Sequence, residues 1–195
     1  MTPAFEQLQQ VITSRRSCKP SSMNGKTIPD EQISILLELA NWAPNHGRTE
    51  PWRFFVYGGA ALQDFCLQHA TLYQENTLPE SFNPAKFNNL LNQYTTVSHI
   101  IAVVMKRTQP TGIPMLEEYA ATAAAIQNML LGAETLGIQA LWSTGGMTHQ
   151  PAMKTLLELA EADETLALLH LGYSDTPPTE GIRKIPLAEK ISWKK

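Results

Sequence analysis

Between Tyr119 and Ala133 the chain carries no charged side chain, and Ala, Leu, Ile and Met fall on every side of a helical wheel. That is the pattern of a helix buried all round. At about fifteen residues with Glu117, Glu118 and Glu134 at its flanks, it is too short to span a bilayer. Ala120, Ala121, Ala123, Ala124 and Ala125 remove side-chain bulk, which lets another helix, or a symmetry copy of this one, approach closely. Gly137 is a stop signal, and Ile138 to Trp142 then reads as a short buried strand. Ser143, Thr144, Gly145 and Gly146 follow as a loop of exposable amide N–H groups. A core helix feeding a strand that ends in such a loop predicts a ligand site built on a rigid element.

The remaining chain supplies the layers around this unit. Phe5, Leu8, Val11 and Ile12 have helical spacing, so Pro3 to Ser14 is predicted to be a helix with one buried face. It runs into Arg15, Arg16, Ser17, Cys18 and Lys19 before Pro20, which does not continue a helix. Three cations and a hydroxyl here make a compact anion site, or else simply complement the helix C-terminus in solvent. Pro29 to Ala43 is a second helix. A polar turn from Asn45 to Pro51 leads into a strand at Trp52–Tyr57, and Ala60 to Tyr73 is helical. Gln74 to Asn83 turns polar and, with Pro79 and Pro84, reads as a surface excursion before another helix near Ala85 to Gln93; the stretch 74–93 is either a lid or an ordinary connector. His99 to Met105 is a β-branched strand, Pro151 to Leu159 a helix, and Leu166 to Gly172 a strand. About four strands among long helices imply one sheet with covering helices, with the strand order left open.

With 195 residues, a single domain over 1–195 is expected. A net charge of −3 and a pI of 5.9 give no general attraction to nucleic acid or to an anionic membrane. Two cysteines exclude a disulfide framework, and no secretion signal is visible at MTPAFEQLQQ, so a reduced, cytoplasmic setting is expected. His69, His99, His149 and His170 show no metal-ligand spacing and no acidic partner for a triad; they read as structural or solvent-facing.

Three segments now stand in order: SRRSCK, APNHGRTEPWRFFV and GIQALWSTGG. Together they resemble the nitroreductase family of FMN flavoproteins, in its branch of under 200 residues, over nearly the whole chain. The resemblance implies an α+β fold, a mostly antiparallel central sheet flanked by helices, in a homodimer with FMN at the subunit interface. It implies that Arg15 anchors the phosphate, that Arg16 and Ser17 contact flavin or ribityl oxygens, and that Lys19 stands beside flavin N1 and O2. A cation there stabilises negative charge on the reduced ring. Asn45, His46 and Arg48 match the segment reaching the partner's flavin, although larger members have Gln where this chain has Glu50. Trp142, Ser143, Thr144 and Gly145 match the loop whose backbone N–H meets flavin N5. Arg183 and Lys184 resemble the basic pair that completes the phosphate site.

The activity so implied is an NAD(P)H oxidoreductase, with NADH or NADPH as reductant. It works by ping-pong hydride transfer through N5 to a nitroaromatic, quinone or similar small planar acceptor. Two other outcomes are open at this stage: the same flavin fold with dehalogenation, ring fragmentation or enone oxidation, and a flavin-binding module without turnover.

Overall fold

The computed structural model describes residues 1–107 and 112–195. Among them the helices are α1 (Pro3–Ser14), α2 (Asp30–Asn41), α3 (Gly59–Glu75), α4 (Pro84–Leu91), α5 (Met115–Thr135) and α6 (Pro151–Leu156). The strands are β1 (Trp52–Gly58), β2 (His99–Met105), β3 (Gln139–Ser143) and β4 (Glu164–Gly172). They form one sheet in the order β1-β2-β4-β3, and each neighbouring pair is antiparallel. This is the α+β architecture that the family resemblance implied.

Local chemistry explains the element ends. Thr2 accepts the Phe5 N–H at the start of α1, with Pro3 in the first turn. Asn83 does the same for Ala85 and Lys86 at α4. Glu117 and Glu118 occupy the first turn of α5, where the helix dipole favours negative charge. α5 stops at Gly137, whose φ of +69° suits glycine. The Ile138 N–H then bonds back to the Ala133 carbonyl at 2.9 Å, so the chain enters β3 at once.

β2 is buried along its whole length because both faces are covered. Ile101, Val103 and Met105 point into a cluster with Leu36, Ile126 and Met129 of α2 and α5. Ile100, Ala102 and Val104 point the other way, to Leu62 and Phe65 of α3 and Met153 of α6. From 74 to 93 the chain stays mostly exposed, with Phe82 stacked on Tyr73 at 5.6 Å and Leu90 buried. No helix among the described residues is long and apolar enough to cross a membrane.

Two expectations change. No residue of α1 is buried, and Phe5, Leu8 and Ile12 are about half exposed. α5 is not covered all round: Glu117, Ala120 and Gln127 are exposed, with Ala124 and Leu131 half-buried. The physical reason is common to both. A helical period reports that a face is apolar, not what covers it, and among the described residues both stripes stay partly exposed.

Candidate functional site

The segment after α1 does not wander off in solvent. Cys18 donates its backbone N–H to the Ala140 carbonyl at 3.0 Å, and Ser17 forms a parallel bridge with Ala140. This lays Arg15–Lys19 along the free edge of β3, the strand that ends in Ser143–Gly146. Two of the three motifs are therefore joined by backbone pairing. Arg15 is half-buried and Lys19 exposed, and neither side-chain cation has a hydrogen-bond or ion-pair partner among the described residues. Arg16 is different. Its guanidinium donates to the carbonyls of Thr13, Arg15 and Thr179, and it occupies the space a side chain at Gly181 would need. Arg16 thus fastens the C-terminal tail, on which Arg183 and Lys184 lie exposed; Arg183 reaches only the Ile182 carbonyl.

The turn after β3 is internally braced. Ser143 Oγ accepts the Gly145 N–H at 3.2 Å, and Thr148 Oγ1 donates to the Gly145 carbonyl at 2.6 Å. Met147 donates its N–H to His69 Nε2 of α3 at 2.9 Å. The N–H groups of Thr144 and Gly146 have no partner among the described residues. Trp142 is 36% exposed at the head of this turn.

Beside Lys19 a cavity of 510 Å³ opens, lined also by Leu141, Asn89, Asn92, Gln93 and Thr95. The sequence places these amides in or just after a helix near Ala85 to Gln93, but nothing local signals that they line a cavity. Gln93 Oε1 in turn accepts from the Nε2–H of buried His170 at 3.1 Å. Burial, then the neighbouring His170 and Lys86, pushes the His69 imidazole down to about 4; burial does the same for His170.

The third motif lies elsewhere. His46 Nδ1 contacts Glu117 Oε2 at 2.5 Å, and both side chains are substantially exposed. Asn45 is occupied in its own turn, accepting the Glu50 N–H at 3.2 Å and donating to the Ala43 carbonyl. Gly47, Arg48 and Glu50 all have positive φ, at 62°, 56° and 42°. Two non-glycine residues in the left-handed region within one turn is a local cost that the fold sustains there. Asn45 and His46 line a second cavity, of 440 Å³, whose other wall is Glu117, Ala120, Ala121 and Ala124 of α5.

α5 measures the separation. Its N-terminal end touches His46 through Glu117, and its C-terminal end touches α1 through Ser14 Oγ and Glu134 Oε1 at 2.7 Å. At about 1.5 Å of rise per residue these two contacts stand about 25 Å apart. One chain does not bring its own Arg15 and His46 to the same small ligand.

The fold and the family match together place the chain among the oxidoreductases of the nitroreductase type. The chain belongs to the nitroreductase family, whose family profile matches residues 12–173. It is 26% identical over 185 residues to Bacillus subtilis YfhC, whose name places it provisionally among the NAD(P)H nitroreductases; the match covers 95% of this chain and 93% of YfhC. The crystal structure of a nitroreductase-like family protein from Bacillus cereus superposes with a TM-score of 0.83 at 28% identity, covering 96% of each chain. The FMN-dependent nitroreductase NfnB of Mycobacterium smegmatis, solved with NADPH, shares the fold at a TM-score of 0.73 and 16% identity, over 98% of this chain and 100% of NfnB.

Proposed function

We propose that this chain is one half of a homodimeric, cytoplasmic FMN-dependent oxidoreductase, which takes electrons from NADH or NADPH and passes them to a nitroaromatic, a quinone or another small planar acceptor. Bound flavin supplies the two-electron chemistry at N5 that protein side chains lack. The chain's own groups suit that cofactor. Arg15 holds the phosphate by a charge-assisted fork. Lys19, next to the amide-lined cavity, stabilises negative charge on the pyrimidine side of the ring. The unpartnered Thr144 N–H serves as the backbone donor toward N5, with Trp142, Ser143 and Gly145 shaping its turn.

The observation that supports this reading most is the parallel Ser17–Ala140 bridge, because it puts the Arg15–Lys19 segment and the loop holding two unpaired amides on one strand, β3. The roughly 25 Å between the ends of α5 supports the dimer. A second copy packed on the small-residue stripe with its α5 antiparallel brings its Asn45–Arg48 turn to the first copy's Arg15–Lys19. The unpartnered α1 face and the exposed Ile182, Leu187 and Trp193 supply further apolar surface for that contact. Both cysteines are free thiols, in keeping with a reducing compartment. Purified protein supplied with FMN is expected to show oxidised-flavin absorption bands that NAD(P)H bleaches under anaerobic conditions and a quinone restores. A colourless protein after FMN incubation contradicts the cofactor; bands that only dithionite bleaches contradict the activity.

A further inference from the structure

His69 lies on α3, 78 positions before Met147 in sequence, yet it is the group on which the turn after β3 rests. The ring is 2% exposed and tilted against Phe65 at 5.8 Å. Its Nε2 accepts the Met147 N–H, so this nitrogen carries no proton and the ring proton is on Nδ1. The fit above the ring is tight. A β-carbon on Gly146 would stand 2.3 Å from Nε2, and φ there is +65°, so glycine is required both by space and by backbone conformation. The inner side of the turn is thus seated on an imidazole, and the only N–H groups left free in Ser143–Met147 are those of Thr144 and Gly146. A buried histidine that merely filled core space would not need to accept a loop amide.

We propose that His69 is a positioning residue of the flavin site: by accepting the Met147 amide proton and filling the space under Gly146, it fixes the turn and hence the place of the Thr144 and Gly146 N–H groups relative to the ring. The inference rests on the flavin reading above. The imidazole can accept only while neutral. Besides burial, the groups that face it and disfavour its protonation are His170 of β4 and Lys86 of α4.

The test uses the full-length protein with three chains: wild type, His69→Phe, which keeps a ring but has no acceptor, and His69→Gln, whose carboxamide oxygen can accept the same proton. Should His69→Phe not fold, His69→Leu replaces it. Amide exchange at Met147, measured without flavin, is expected to be slow in wild type and His69→Gln and at least about tenfold faster in His69→Phe. With FMN added, the Kd of His69→Phe is expected to rise about tenfold, the equivalent of one lost hydrogen bond. Its bound-flavin reduction potential should shift, with both values returning toward wild type in His69→Gln. Faster Met147 exchange with unchanged Kd and potential overturns the positioning role, as does unchanged exchange. A wild-type protein that takes up no FMN overturns the flavin reading itself, a result visible before any variant is compared.

Discussion

The two parts of the site are built in opposite ways. The half made by Arg15–Lys19 and Ser143–Gly146 is assembled within one chain by backbone pairing to β3, is supported from beneath by His69, and leaves its cations and amides unspent. The half made by Asn45–Arg48 is a strained turn in which Asn45 bonds backbone groups of Ala43 and Glu50 and His46 meets Glu117. The first is arranged to bind; the second is arranged to hold a shape. In the proposed homodimer that difference suits a shared site, with one surface presenting charge and donors and the other a shaped turn from the second copy.

The largest way to disturb the first half is acid. His69 and His170 have pKa values pushed down to about 4 by burial, whereas the unfolded chain titrates near the ordinary 6.5. Between those values the unfolded chain binds protons that the native chain refuses. Stability is therefore full above pH 6.5 and falls as pH drops toward 4, by on the order of several kcal/mol for the pair. Denaturant midpoints across pH 8 to about 4 check this, and a flat profile through the window contradicts the neutral, buried state of both rings.

Next in size, Arg15→Ala is expected to weaken FMN binding by about 1.5–3 kcal/mol with little change in stability, because its guanidinium has no hydrogen-bond or ion-pair partner among the described residues. Isothermal titration with FMN measures it, and unchanged affinity removes Arg15 from the phosphate role. Smallest is the effect of His46→Ala on stability, under about 1 kcal/mol, since its contact with Glu117 is largely exposed. Thermal unfolding of the unliganded protein reads this value. A larger loss would mean that the second turn is held together by this pair rather than by Asn45 and its backbone bonds.

Much of this was legible in the sequence, for identifiable reasons. The β-branched run of β2 and the charge-free stretch of α5 each encode their element locally, and the observed strand His99–Met105 coincides with the predicted one. The motif residues were legible as types. Their convergence was not, because the Ser17–Ala140 bridge and the His69–Met147 bond are long-range pairings with no local signature. A histidine without ligand spacing reads as structural, and only the glycine above it shows what it supports. Asn89, Asn92 and Gln93 fall in a stretch that reads as a helix near Ala85 to Gln93, and their facing Lys19 and Leu141 is a long-range juxtaposition that composition does not signal. The exposed stripe of α1 misled in the other direction, because periodicity does not say which chain provides the cover.

The central claim, that each flavin site takes one half from each of two chains, has a direct test by subunit mixing. Arg15→Ala and the double variant His46→Ala/Arg48→Ala each damage both sites of their own homodimer. After dissociation and reassociation of an equal mixture, the account predicts heterodimers carrying one site with wild-type FMN affinity and one doubly damaged site. Failure of any tight site to reappear in verified heterodimers, or wild-type affinity in a monomeric chain, would contradict it.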